Sequence, residues 1–187
     1  MKKLFLTAAV AVSSLTFAQQ FGAKAGMNVS TISDEGFDDT KSKVGYYAGV
    51  FMNVPVSESF SIQPEVLYNN LGSKVSSTVS GTTYSSTLNL DYVAVPVMFQ
   101  YKATPQFYLE AGPEFGFLVN AKQKFDNGSS SIVTELDKED FNSFNMGVGL
   151  GLGFDISKNV GLNARYVAGF SDITKESGPA ADAKNKN

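Results

Sequence analysis

The chain of 187 residues contains no cysteine and no histidine. Without cysteine it forms neither disulfide bonds nor the lipidated cysteine of an anchored lipoprotein. Without histidine it has no Ser-His or Cys-His catalytic pair, and a zinc site would lack its usual ligand. We therefore predict a protein that is not an enzyme and that binds no cofactor and no metal.

The N-terminus has the features of a secretory signal peptide. Lys2 and Lys3 precede an apolar run at residues 4–12, which is too short to cross a bilayer as a helix. Because small Ala18 follows, we expect a signal peptide at residues 1–18. The formal net charge of −3 becomes more acidic once the two lysines are removed, which argues against nucleic acid as a partner.

The clearest pattern in the chain lies at residues 107–122, FYLEAGPEFGFLVNAK. Its odd positions are all apolar, whereas its even positions carry carboxylates, an amide, an ammonium group and glycines. A period of two predicts a strand with one apolar and one polar face. Strands of soluble proteins run about 5–6 residues, whereas a tilted membrane-crossing strand needs about 9–11. The length and the uncharged apolar face indicate contact with lipid.

Six further segments alternate in the same way. They are residues 21–30, 44–54, 60–70, 88–101, 144–154 and 160–170. Long polar loops alternate with short turns at residues 55–59, 102–106 and 155–159, as in outer-membrane barrels. We predict an all-β fold, an up-and-down antiparallel transmembrane β-barrel of the eight-stranded type, at residues 19–173 in the cell outer membrane.

A soluble lipocalin-like ligand-binding barrel is the main structural alternative, since it would place the apolar faces inside. The sizes of the side chains favour the membrane barrel. One face of each strand is bulky and continuous, whereas the other mixes glycine with charge. A lumen of about eight strands has room only for the second face.

Only seven strands can be read, although bacterial single-chain barrels have an even number. Residues 174–187 form a polar tail without alternation, and Pro179 is poor strand material. Without an eighth strand, backbone groups of the first and seventh strands would face hydrocarbon. We therefore expect a C-terminally truncated form of an eight-stranded barrel; the alternative is direct pairing of the first and seventh strands.

Six charged side chains on the polar faces form the candidate site. They are Lys24, Glu65, Glu110, Glu114, Lys122 and Arg165. Glu110 and Glu114 lie about 13 Å apart on one strand, farther than the acid pair of a glycosidase. Because buried charges must be paired, we predict a structural network of salt bridges and hydrogen bonds in the lumen. The alternate glycines at residues 147–153 are expected to leave room for Arg165 or a neighbouring tyrosine.

Several segments carry a family resemblance. They are FGAKAGMNVS, YYAGVFMNVPVSESFSIQPEVLY, DYVAVPVMFQYK, FYLEAGPEFGFLVNAK and GLNARYVAGFSDI, in this order over most of residues 21–173. With them the chain resembles the outer-membrane β-barrel family of Bacteroidetes often labelled PorT-like. The resemblance implies an outer-membrane location and a small barrel, and it brings no catalytic residues. The namesake is linked to protein secretion and gliding, but no residue here carries that role over.

We therefore predict a non-enzymatic small outer-membrane β-barrel with a structural or envelope-interaction role through its extracellular loops. Its expected partners are outer-membrane lipid, lipopolysaccharide and an unidentified envelope protein. The alternative is a narrow pore or a small-ligand transport barrel. A lumen crowded with Glu110, Glu114 and Arg165 argues against free conduction.

Overall fold

The structure is a computed structural model that describes residues 19–33, 41–79, 82–128, 130–137, 141–172 and 184–186. The strands are β1 Gln20–Ser33, β2 Lys41–Pro55, β3 Phe60–Val79, β4 Thr82–Lys102, β5 Phe107–Asp126, β6 Ser131–Glu135, β7 Phe144–Asp155, β8 Gly161–Asp172 and β9 Lys184–Lys186. Within these ranges no helix could span a bilayer.

The strands form one antiparallel sheet in which chain neighbours pair with each other. The ladders run β1–β2, β2–β3, β3–β4, β4–β5, β5–β7 and β7–β8. β6 pairs with residues 122–126 of β5, and β7 pairs with residues 107–117. β6 therefore lies above β7 on the same side of β5. The nine described strands thus occupy eight positions in the sheet. The predicted all-β, up-and-down antiparallel architecture is confirmed.

The two ends of the sheet differ. Short connections lie at residues 56–59, 103–106 and 156–160, close to the predicted turns. We call this end the lower end and the opposite end the upper end. At the upper end, the long polar loop predicted between the strands at residues 60–70 and 88–101 is wrong, because β3 and β4 extend into this segment and their ladder continues to Val79 and Thr82. This hairpin is rich in serine and threonine and lacks the alternation from which the other strands were predicted.

The sheet is not closed over its whole height. β9 lies within the expected polar tail and pairs with residues 31–33 of β1 and with Ala168 and Asp172 of β8. Below β9, residues 20–30 of β1 and 161–167 of β8 form no ladder with each other or with a further described strand. We call the gap between these two edges the seam.

Apolar side chains point outward along the strands. Leu150 of β7 is 59% exposed and Leu162 of β8 is 66% exposed. Tyrosine and phenylalanine near the strand ends pair across strands, as Phe60 and Tyr101 do at a ring distance of 5.0 Å. This orientation contradicts the soluble lipocalin-like alternative, which required these faces inside.

A bulge in β5 reverses the faces near its upper end. Asp91 of β4 pairs with Asn120, whereas Tyr92 pairs with Leu118, so β5 has one extra residue there. Beyond the bulge Ala121 turns inward, with 1% of its surface exposed, and Lys122 turns outward. The sequence pattern predicted the opposite orientation for both residues. Alternation along the sequence does not show where an extra residue shifts the side chains to the other face.

The largest group of buried apolar side chains lies at the upper end. Five buried side chains form a cluster there, which we call the apolar plug: Leu71, Leu90, Tyr92, Leu118 and Ala121. Leu88, Leu136 and Phe141 pack against it. Below the plug, the buried charged residues of the candidate site share the interior with Leu67, Met98 and Val167.

Candidate functional site: a charged lumen

Glu65 of β3 is the centre of the charged interior. Lys24 Nζ donates to its Oε1 at 2.9 Å, and Arg165 donates to Oε1 at 2.7 Å and to Oε2 at 3.0 Å. Gln63 Nε2 also donates to Oε1, at 2.8 Å. The Glu65 side chain is fully buried, so each of these bonds forms away from bulk water. Charge-assisted and bidentate bonds of this kind are the strong class of hydrogen bond.

Arg165 of β8 connects Glu65 to a second carboxylate, Glu110 of β5. Its Nε donates to Glu110 Oε1 at 2.8 Å. Asn163 and Gln100 also donate to Glu110, at 2.8 and 3.1 Å. Two cations and two carboxylates thus balance in charge across the interior, which is the condition for keeping ions buried.

Glycines make the space for these long side chains. A Cβ atom at Gly149 would lie 3.3 Å from Arg165 Cδ, and one at Gly151 would lie 2.9 Å from Glu110 Oε1. A Cβ at Gly153 would overlap the ring of Tyr108. The alternate glycines of β7 therefore accommodate Arg165 and a tyrosine, as the sequence pattern predicted.

A layer of amide side chains lies below the two carboxylates and is hydrogen-bonded to them. Asn53 Nδ2 donates to Ser61, Gln63 and Gln100 at 3.1, 3.1 and 2.8 Å. Gln63 and Gln100 donate in turn to Glu65 and Glu110. Sequence reasoning left these residues out of the site. The signal was available, because each occupies an inward position of an alternating strand.

Glu114 and Lys122, the other two predicted site residues, lie apart from this network. Glu114 lines a cavity of about 20 Å³ together with Asn69 and Asn145, which has room for one water molecule. Lys122 lies beyond the bulge of β5 and forms an ion pair with Glu135 of β6 at 3.3 Å. The structure therefore joins Lys24, Glu65, Glu110 and Arg165, and it leaves two of the six outside.

A second polar cluster lies just above and was missed entirely. Lys43 Nζ donates to Asn70 at 2.6 Å, and Asn70 and Asn120 donate to the Asp91 carboxylate at 2.6 and 3.1 Å. The cluster joins β2 to β5 at the height of the irregular pairings in β2–β3 and β4–β5. Because bulges bring these residues together, the regular alternation of the sequence gave no sign of it.

The two carboxylates of the network, Glu65 and Glu110, each accept at least three hydrogen bonds from side chains. In the described part of the chain, no group of His, Cys, Asp or Glu residues could hold a metal ion.

Comparisons with known proteins agree with this fold. A model of the family described as "Outer membrane protein beta-barrel domain" matches residues 17–175. A search of curated proteins finds no match. Among solved structures, the chain is similar to Ail, the attachment invasion locus protein of Yersinia pestis, with a TM-score of 0.52 and 14% identity, covering 90% of this chain and 92% of that one. Neisserial surface protein A has a TM-score of 0.49 and 11% identity, covering 90% and 93%. At 14% identity the likeness to Ail concerns the fold alone.

Proposed function

The chain belongs to the family of outer membrane protein beta-barrel domains, and from this premise we propose that it is a non-enzymatic barrel that contacts the envelope or the environment through its upper end. The observation that carries the proposal is the contrast between its two regions. The lumen is occupied by paired charges and the apolar plug, whereas the upper end presents a large exposed sheet. Export through the signal peptide at residues 1–18, and membership of the PorT-like subgroup of Bacteroidetes, are parts of the same proposal.

The strands differ greatly in length. β3 and β4 have 20 and 21 residues, whereas β7 and β8 have 12 each. A tilted membrane-crossing strand needs about 9–11 residues. The longer strands therefore rise well above the bilayer that the shorter ones span. We call this extension the outer wall: residues 72–79 of β3, 82–89 of β4, 122–126 of β5, and β6.

One face of the outer wall carries an exposed apolar row. Val75 of β3, Ser86 of β4, Phe125 of β5 and Ile132 of β6 occupy one cross-strand row. Phe125 is 48% exposed and Ile132 is 66% exposed. Because this part of the sheet lies above the lipid, its apolar surface is available to another molecule. Exposed apolar patches on protein surfaces mark interaction sites.

The opposite face of the outer wall carries three lysines, of which Lys122 and Lys124 form ion pairs with Glu135 and Asp126. Lys74 of β3 and Lys124 of β5 flank Thr87 in the next row, and Lys122 lies opposite Asn89. This height corresponds to the headgroups of the outer leaflet, and lysine binds phosphate as a point charge. We place the contact with lipopolysaccharide and anionic headgroups here, and the contact with an envelope protein at the apolar row.

Capture from native envelopes tests the assignment of the apolar row. A tagged chain carrying Ile132→Ser is compared with Val133→Ser, its neighbour on the opposite face of β6. We expect Ile132→Ser to lose a partner that both the unchanged chain and Val133→Ser retain. Identical captured proteins from all three chains would contradict the role of this row.

The narrow pore is the second candidate, because a cavity of about 1410 Å³ extends from the lower part of the interior into the seam. The apolar plug closes the interior above it, and Leu90 within the plug has no exposed surface. We expect the purified protein to give no stable single-channel steps in a planar bilayer. Reproducible steps would favour the pore.

A further inference from the structure

Glu114 of β5 is a charged residue of the lumen that lies outside the ion-pair network. Within the described part of the chain, its carboxylate forms no hydrogen bond and no salt bridge. Its neighbours in the ladders explain this. Glu114 lies opposite Pro96 of β4 on one side and Gly147 of β7 on the other, and Gly147 lies opposite Gly169 of β8. None of these three has a polar side chain, so the row of Glu114 offers it no cross-strand partner.

Two amide side chains beside Glu114 also have no partner. Asn69 of β3 and Asn145 of β7 line the cavity of about 20 Å³ together with Glu114. Neither amide side chain is hydrogen-bonded to any residue that the structure describes, although Asn69 is only 5% exposed. In the layer below, by contrast, Gln63 and Gln100 are hydrogen-bonded to the carboxylates of the network. Because buried polar groups almost always have partners, three such groups around one cavity indicate that a ligand binds there.

The charges around the cavity determine the charge of its ligand. Lys24 and Arg165 act on Glu114 electrostatically, but their hydrogen bonds go to Glu65 and Glu110. These two cations balance the two carboxylates that they contact, so the negative charge of Glu114 is left without compensation. A buried charge needs a partner of opposite sign. A ligand with one positive charge therefore makes the interior neutral.

The size of the cavity and its oxygen atoms identify the class of cation. A volume of about 20 Å³ holds one body the size of a water molecule, so a bare inorganic ion fits and an organic cation does not. Carboxylate and amide oxygens are ligands of hard cations. Calcium takes about six to eight oxygens and magnesium keeps several waters, for which this cavity has no room. We propose that Glu114, Asn69 and Asn145 bind one alkali-metal cation, Na⁺ or K⁺, in the lumen.

A cation at this place connects three strands beneath the apolar plug. Its ligands come from β3, β5 and β7, and Leu71 and Tyr92 of the plug line the same cavity. An ion that binds only the folded chain stabilises it as the ion concentration rises, so unfolding reports its binding. The sequence-based expectation of a chain without a metal considered sites built from histidine, whereas this site uses oxygen ligands alone.

Urea unfolding of the full chain in detergent micelles tests the site. The unfolding midpoint is measured at one pH and constant ionic strength in sodium, potassium, calcium or choline chloride, since choline is too large for the cavity. The unchanged chain is compared with Glu114→Gln, which keeps the shape of the side chain but removes its charge. Glu58→Gln is the matched control, because Glu58 lies exposed in a lower turn.

We expect the unchanged chain and Glu58→Gln to have a higher urea midpoint in sodium or potassium chloride than in choline chloride. The midpoint should rise with the ion concentration to a plateau, and the ion with the lower half-saturating concentration is the preferred ligand. Glu114→Gln should lose this dependence. In choline chloride it should unfold at no lower urea concentration than the unchanged chain, because it removes an uncompensated buried charge.

Three results would overturn the proposal. Equal midpoints of the unchanged chain in all four salts would mean that the cavity holds only water beside an uncharged Glu114. A shift that Glu114→Gln retains would place the ion elsewhere, and a shift in calcium chloride alone would exclude an alkali-metal cation. If Glu114→Gln does not fold, Asn145→Leu replaces it, since this change removes one oxygen ligand without altering the charge. It should raise the half-saturating ion concentration, and an unaltered value would contradict the site.

Discussion

Among single residues, Glu65 determines the stability of the charged lumen. It accepts bonds from Lys24, Gln63 and both terminal nitrogens of Arg165. Glu65→Gln keeps the shape but leaves two buried cations with only one carboxylate, Glu110. Removing one partner from a buried ion pair costs about 3–5 kcal/mol. We expect a loss of that size in urea unfolding followed by circular dichroism in micelles.

Glu58→Gln is the matched control for this substitution, because Glu58 lies exposed in a lower turn. Its effect should stay within about 0.5 kcal/mol, as for most surface substitutions. Equal stabilities of the two variants would show that the Glu65 network does not hold the lumen together.

Two glycines of β5 differ in the space that surrounds them. A Cβ at Gly112 would overlap the backbone carbonyl oxygen of Val97, whereas one at Gly116 would lie 3.3 Å from the ring of Tyr92. A backbone atom in a ladder cannot move aside, but a ring edge can shift slightly. We expect Gly112→Ala to lose about 1–3 kcal/mol, the usual effect of overpacking, and Gly116→Ala to lose clearly less. Urea unfolding of both variants measures this, and the reverse order would contradict the close strand approach at Gly112.

The partners of each charged residue could not be read from the sequence. Period two assigns a side chain to a face, but Arg165 and Glu65 are 100 residues apart and meet only because the sheet curves around the lumen. Lys122 illustrates the other limit. One inserted residue before it turned the side chain outward, toward Glu135. No residue near the bulge, such as a glycine or proline, marks it in the sequence.

At the scale of strands, a charged side chain on the lipid-facing side destabilises the barrel by an amount that depends on its depth in the bilayer. Leu150 lies near the middle of β7, opposite Ala111, and Phe154 lies at its lower end, opposite Phe107. An arginine on the lipid face costs about 2–4 kcal/mol at the midplane and about 0–1 near the interface. We therefore expect Leu150→Arg to abolish most heat-modifiable folding on gels, whereas Phe154→Arg keeps it. Similar folding of the two variants would mean that β7 does not cross the bilayer.

Strand prediction succeeded where lipid imposes a pattern and was wrong where it does not. Within the bilayer one face must be apolar, so the alternation of β5 and β7 is plain in the sequence. Above it both faces of the outer wall meet water or a partner, and the serine-rich ends of β3 and β4 read as a loop. β6 was missed for the same reason. β9 has only three polar residues, and its pairing depends on the edges of β1 and β8 rather than on its own sequence.

At the scale of the whole molecule, the interior is layered by polarity. Amides lie lowest, the ion-pair network lies above them beside buried Leu67 and Met98, and the apolar plug closes the top. The outer wall stands beyond the plug, so the membrane part and the contact surface are separated along the barrel axis. The class of the fold could be predicted because every spanning strand repeats one pattern. The plug and the outer wall could not, since both depend on how far neighbouring strands extend past the bilayer.

This separation predicts that the outer wall can be shortened without loss of the barrel. Lys74 lies opposite Thr87, so residues 75–86 can be replaced by an Asn-Gly turn that joins the two strands directly. The deletion removes Val75 and Ser86 and so leaves only Phe125 and Ile132 of the apolar row, while the pair of Leu71 and Leu90 stays in place. We expect normal heat-modifiable folding and loss of the envelope partner that the apolar row binds. Leu90→Ala gives the opposite result: it retains the row but loses about 2–5 kcal/mol of stability, because Leu90 is fully buried in the plug. Failure of the shortened chain to fold, with Leu90→Ala unaffected, would mean that the outer wall rather than the plug stabilises the upper end.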